Sequence, residues 1–405
     1  MTQDFPTGHQ HLRSYFNRSL IYLVFLYLSA NAVYLFAKQQ WVELGMFHDQ
    51  HRTSFFNAYS LTIFLFYLAL IPGAIWADKT RQSKSVIAAG LLIMLAGTLG
   101  GWLRPEQAVA YAIHISAIGY GIFLAGFVTA VAHEIKNASL HTAKFFWLWI
   151  LITGLFHLLF FEFIKQFLYG RSLIYFKIAA TLSILLAWLI MVLWRPSSRA
   201  RDNTLAFRSW PLALWAVVGW GLILGLDSFL QQHFASVIAS KKVLHFFWQT
   251  SFLENISMEC LAALVSWFFL FKISLSLRTK IMVGLSIFIL YVVAMLIPLA
   301  TGHATYLLLE WMYSLSIYIL LPLFYLIILQ HTPPGFYGRV LVAKYLVIEE
   351  LISLFGLFFS FQHLSIQKYS INFMDIFYLA FMVIILGYLL YLAIALQRQA
   401  REEKM

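Results

Sequence analysis

Charge is what this sequence has least of. Asp, Glu, Lys and Arg make up 11% of its 405 residues and hydrophobic residues make up 61%, against about 25% charged and 45–50% apolar in a soluble domain. Too few polar groups remain to clothe a water-facing globule, which excludes a soluble enzyme or adaptor of this length. The single cysteine, Cys260, excludes a disulfide framework within the chain. No nucleophile elbow, phosphate-binding loop or dinucleotide fingerprint occurs. No Cys/His grouping stands at metal-site spacing; His48-Asp-Gln-His51 is the nearest approach and reads as a solvated loop. The expectation is a non-enzyme that uses neither a metal nor a cofactor. Acids are scarcer than bases, 17 against 28, for a net charge of +11. A nucleic-acid partner would need those bases as a stripe on a soluble fold, and no such stripe is present.

What the chain has in abundance is long apolar runs. A helix needs about 20 apolar residues to cross a bilayer, and twelve such runs are read at 19–37, 55–76, 85–103, 108–132, 145–163, 173–194, 210–233, 246–271, 281–300, 304–330, 340–360 and 373–396. Barrel strands would be about 10 residues long and alternate, so the fold class is all-α and polytopic. A helix also satisfies its own backbone groups in lipid. The polar stretch from Arg195 to Asn203 divides the spans six and six. The domains expected are an N-terminal bundle over 1–194, a cytoplasmic linker over 195–209 and a C-terminal bundle over 210–405. With the N-terminus inside, the inside segments hold 18 Lys and Arg and the outside segments 8. That bias predicts both termini in the cytoplasm. Short loops without sorting signals point to a bacterial inner membrane.

Local motifs carry a resemblance. Gly73-Ala-Ile-Trp-Ala-Asp78-Lys79-Thr-Arg81-Gln-Ser-Lys84, at the inside end of span 2, resembles the loop motif of the major facilitator superfamily. The first glycine is off by one, and Arg81 stands where a second glycine belongs. The resemblance implies a 6+6 pseudo-symmetric fold with Asp78, Lys79 and Arg81 as cytoplasmic gating residues. More narrowly, Phe56-Asn-Ala-Tyr-Ser, Gly119-Tyr-Gly121, Leu307-Leu-Leu-Glu310-Trp-Met-Tyr-Ser and Pro333-Pro-Gly-Phe-Tyr-Gly338 are similar to stretches of the proton-dependent oligopeptide transporters. Together these cover about a third of the chain. The span-1 Glu-x-x-Glu-Arg-Phe signature of that family is absent, and Leu124 stands where its span-4 lysine would be. Those missing groups belong to proton coupling and peptide recognition, so the resemblance is to a divergent relative.

Ionisable side chains within spans cost roughly 2.5–3.5 kcal/mol at mid-bilayer on insertion scales and therefore mark function. Here they are Lys177, Asp227, Glu254, Glu259, Glu310, Lys344, Glu349 and Glu350. Asp227 and Gln231 share a helix face, as do Asn255 and Glu259. Glu254 and Glu259, five apart, point about 140° from each other. Glu310, Tyr313 and Ser314 form an i, i+3, i+4 patch. Tyr27, Asn31 and Tyr34 form an i, i+4, i+7 stripe along span 1, read as a substrate-facing wall. Lys177 is placed to snorkel to the interface, and Glu349 and Glu350 read equally as structural ion pairs.

The function expected is secondary active transport of a small organic solute, peptide-like or another metabolite, by proton-coupled symport. Its partners are the solute, protons and the bilayer, and a monomer is expected. Glu310 leads as the coupling carboxyl, with Asp227, Glu254 and Glu259 as alternates; Tyr313, Gln231, Tyr27, Asn31 and Tyr34 complete the binding set. The competing reading is a non-transporting receptor or scaffold on a decayed transporter fold.

Overall fold

The computed structural model describes residues 18–47, 52–80, 82–102, 106–135, 140–163, 173–196, 212–214, 216–221, 223, 252–296, 303–332 and 335–344. Within these the regular structure is helical: α1 (Arg18–Phe47), α2 (Arg52–Thr80), α3 (Ser83–Gly100), α4 (Glu106–Glu134), α5 (Leu140–Phe163), α6 (Leu173–Leu193), α7 (Phe252–Phe271), α8 (Leu277–Leu296), α9 (His303–His331) and α10 (Tyr337–Lys344). Residues around Trp220 are helical as well. Eight of the described helices are long and apolar enough to cross a membrane. The expected span 373–396 lies outside the described residues, as do most of 340–360 and of the linker 195–209.

The chain's contacts sort into two compact units. One comprises 1–141, 159–205 and 333–342, the other 142–158, 206–332 and 343–405.

In the first unit α4 is the central helix, packed on by α1, α2 and α3, with α6 against α1 and α3. Gly119 and Gly121 let it approach so closely: a Cβ on Gly119 would meet backbone of α3, and one on Gly121 backbone of α2. Small residues substitute for a hydrophobic driving force where lipid is the solvent. Hydrogen bonds tie the start of α1 and of α3 to the end of α6. Trp194 Nε1 donates to Ser19 Oγ at 2.6 Å, and Lys84 Nζ donates to the Trp194 carbonyl at 2.6 Å. On α6 the exposed residues Leu182, Leu185, Leu189 and Val192 recur with helical period. This is a soluble helix inverted, with its apolar stripe outward.

Among the described helices of the second unit α9 is the most buried, with α7 and α8 packed on it. Phe146 of α5 stacks on Tyr325 of α9 at 3.9 Å, and Trp220 meets the same ring edge-on. α8 begins four residues before the apolar run that signalled it. The cause is a cap: Ser276 Oγ accepts the Thr279 N–H at 3.1 Å, the N-cap geometry that satisfies an orphan donor of the first turn. Lys280, a turn further on, reaches back to donate to the Leu270 carbonyl at 2.5 Å and closes the C-terminus of α7, where a cation also suits the helix dipole.

Candidate functional site

Glu259 lies midway along α7 and is half-buried. Both of its carboxylate oxygens are taken by hydroxyls of α9: Tyr318 donates to Oε1 at 2.7 Å and Ser314 to Oε2 at 2.9 Å. α5 closes the third side at Gly154, where an added Cβ would stand 2.5 Å from Glu259 Oε1 and 3.4 Å from the Tyr318 hydroxyl. The glycine is what lets a carboxylate sit against that helix. Two turns along each helix, Trp147 of α5 donates to Ser266 of α7 at 2.9 Å and its ring lies 6.1 Å from that of Tyr318. Three apolar helices thus converge on a polar seam with one carboxylate at its centre. Hydroxyl donors stabilise the carboxylate there. When it takes up a proton it becomes a donor itself, and a hydroxyl can turn to accept.

The patch Glu310, Tyr313, Ser314 is split between two seams. Ser314 faces α7 and Glu259, whereas the Tyr313 ring lies 5.4 Å from Tyr291 of α8. Glu310 is half-buried one turn from Ser314. Tyr318, the second donor to Glu259, was not singled out by the sequence. Its place eight residues after Glu310 on the same face was the available signal. Gly154 carried no signal at all. Glu254 is half-buried in the first turn of α7. Asp227, Gln231, Glu349 and Glu350 lie outside the described residues.

Along α1, the stripe Tyr27, Asn31, Tyr34 lies against the aromatic column of α4. Asn31 is buried, 4% exposed, and its Oδ1 accepts from the Tyr120 hydroxyl at 2.9 Å. Tyr34 stacks on Tyr120 with centroids 4.6 Å apart and planes 9° from parallel, and Tyr27 lies 5.2 Å from Phe127. Phe66 and Phe123 extend the stack. As placed, Asn31 serves Tyr120, while Tyr27 and Tyr34 remain half-exposed. Lys177 lines a small cavity with Thr98 and Ser116.

Asp78, at the end of α2, is 5% exposed. It accepts three hydrogen bonds at the start of α10: from Gly338 N at 2.8 Å, Arg339 N at 2.9 Å and Arg339 Nε at 3.1 Å. A carboxylate on the free N–H groups of a helix start satisfies orphan donors and complements the dipole. Gly338 has no room for a side chain, since a Cβ would stand 2.7 Å from Thr129 Oγ1 and 3.1 Å from Asp78 Oδ1. The Arg339 guanidinium lies 4.0 Å over the Phe336 ring and donates to the Gly335 carbonyl. Lys79 is exposed and Arg81 lies outside the described residues. The sequence had singled out the Gly338 loop without connecting it to Asp78. Among the described residues no group of three His, Cys, Asp or Glu could hold a metal ion.

Helices of this length and hydropathy, in this order, define a polytopic membrane protein of the major facilitator fold. The solved structures that share it include a bacterial homologue of the iron transporter ferroportin in an outward-facing state, at 14% identity and a TM-score of 0.64 over 95% of this chain and 99% of that one. Another is the E. coli fucose:proton symporter, at 12% identity and a TM-score of 0.62 over 93% and 97%. No family model matches the chain, and no curated protein matches it in sequence. The fold is therefore shown, while the narrower resemblance to oligopeptide transporters is not supported by a family match.

Proposed function

We propose that this chain is a secondary active transporter that moves a small organic solute by alternating access, driven by protons. The observation that supports it best is Glu259, a carboxylate inside an apolar span held by two hydroxyls of a neighbouring helix. No lysine or arginine among the described residues bonds to it, so a proton or a cationic solute group can take that place. Roughly 2.3 kcal/mol is available from one proton crossing about 100 mV, enough for about 50-fold accumulation. Glu259 takes the coupling role in this reading, ahead of Glu310. Asp78, through the start of α10, acts as a gating contact at the inner face. The protein resides in a bacterial inner membrane with both termini cytoplasmic. The substrate class is a small polar metabolite; a peptide-like one rests only on the motif resemblance.

The test begins with a thermal-shift screen of small metabolites on the purified protein, since a bound ligand raises apparent stability by mass action. A ligand found there is then followed in proteoliposomes. Glu259→Gln is expected to abolish accumulation driven by a proton gradient while leaving solute exchange without a gradient. Wild-type accumulation by the Gln variant would remove Glu259 from the mechanism. A binding ligand that is never transported would favour the receptor reading.

A further inference from the structure

Lys177 lies in an early turn of α6, inside an apolar span, where a charge is costly unless it is paired. It is half-buried, and among the described residues its ammonium has no hydrogen-bond or ion-pair partner. Its backbone is tied to the end of α3: Thr181 Oγ1 donates to the Lys177 carbonyl at 2.8 Å and accepts from Trp102 Nε1 at 3.1 Å. Lys177 lines a cavity of about 20 Å³ among α1, α3, α4 and α6. None of the ten lining residues is acidic, and the other polar ones are Thr98 and Ser116. The Thr98 hydroxyl gives its proton to the Met94 carbonyl at 2.8 Å. Ser116 is only 2% exposed, yet its hydroxyl meets no hydrogen-bond partner among the described residues. It stands against α3, since a Cβ on Gly97 would collide with Ser116 Oγ. A buried hydroxyl without a partner is costly and calls for an explanation.

We infer that this cavity is a binding site for one halide-sized anion, held by the Lys177 ammonium and the Ser116 hydroxyl. Size sets the ligand class. A water-sized guest needs about 10–15 Å³, so the cavity takes one small guest and not a phosphate or sulfate with four oxygens. Charge decides between an ion and a water. The lining has no acid, and its walls are apolar side chains and small residues such as Val33, Ile113 and Gly97. Beside such walls Coulomb attraction is little screened. A chloride offsets the lysine charge there, which a neutral water does not. Both holding groups are donors, as an anion requires. The anion then ties α6 to α4 at the end where α1 and α3 also meet them. The loop-charge bias predicts that end outside, so the ion enters from the outer medium. The site stands apart from the transport reading, because its effect is on stability.

The test is thermal unfolding of the full chain in detergent, in sodium chloride and in sodium gluconate at equal ionic strength. Chloride is expected to raise the melting temperature saturably, as a ligand of the folded state does. Bromide is expected to act as chloride does; gluconate and sulfate, too large for the cavity, are not. Lys177→Met keeps the length of the side chain without its charge and is expected to abolish the chloride shift. Ser116→Ala is expected to raise the chloride concentration at half the shift by about tenfold, the loss of one hydrogen bond to a charge. It carries the test alone where Lys177→Met does not fold. Equal melting temperatures of the wild type in chloride and gluconate overturn the site and leave a bound water in its place. A chloride shift that Lys177→Met retains, or an unchanged midpoint in Ser116→Ala, overturns it as well. A shift in sulfate as large as in chloride overturns the halide assignment and points to a phosphate-sized group at the mouth of the cavity.

Discussion

At the scale of residues, several buried polar groups meet a partner on a neighbouring helix. Asn31 and Tyr120 are an example: both lie buried between α1 and α4 and meet at 2.9 Å. Asn31→Ala removes the acceptor of the Tyr120 hydroxyl, at about 1–3 kcal/mol, whereas removing both groups avoids that penalty. The double variant Asn31→Ala/Tyr120→Phe is therefore expected to melt at a higher temperature than Asn31→Ala alone, as thermal unfolding in detergent would show. Gly154 is a second case. Alanine is the better helix former by about 1 kcal/mol, so a glycine with no packing role would gain stability on replacement. Beside Glu259 the added methyl would stand 2.5 Å from Oε1, so the carboxylate would have to shift away from its hydroxyl donors. Gly154→Ala is expected to lower the melting temperature and reduce gradient-driven accumulation; a rise in melting temperature with unchanged transport would mean the carboxylate does not lie there.

At the scale of elements, caps do work that hydropathy does not announce. α10 starts on the carboxylate of Asp78, from a helix more than 250 residues earlier in sequence. Asp78→Asn keeps an acceptor of nearly the same size and removes the charge that faces the N-terminal dipole. The Arg339 side chain is 40% exposed, so the ion pair itself adds little. The loss of stability is expected to stay near 0.3–1 kcal/mol, with folding intact. On the gating role proposed for Asp78, transport is expected to slow. Equal transport rates for wild type and Asp78→Asn would reduce the contact to a structural cap. Along α9, the same stretch that reads as one polar patch supplies two seams. The turn between Tyr313 and Ser314 is enough to send one to α8 and the other to α7.

At the scale of the whole molecule, orientation is the property most directly testable. The loop-charge bias predicts that the turn before α3 and the linker lie inside. The turn has a usable probe position at Gln82, which is exposed, whereas Ser83 beside it is buried. Cys260 is exposed and has to be replaced first. In that background, Gln82→Cys and Ser198→Cys are expected to resist an impermeant thiol reagent applied to intact cells, and Gln50→Cys is expected to react. Outside labelling at Gln82 or Ser198 would reverse the topology.

The membrane class and the helical spans were legible in the sequence because length and hydropathy are local properties. Spans 6 and 10 lie within a residue of α6 and α9, while span 1 starts within a residue of α1 but α1 runs ten residues further, to Phe47. The carboxylates were legible too, since an acid within an apolar run is conspicuous and costly. Which of them meets what was not. These helices are apolar on nearly every side, so periodicity marks no buried face, and a residue's partner depends on the rotation of its helix against neighbours far away in sequence. Tertiary structure alone put Gly154 beside Glu259, Tyr120 on Asn31 and α10 on Asp78. The deciding facts are a backbone approach, a side-chain hydrogen bond and a cap, none of which leaves a trace in hydropathy.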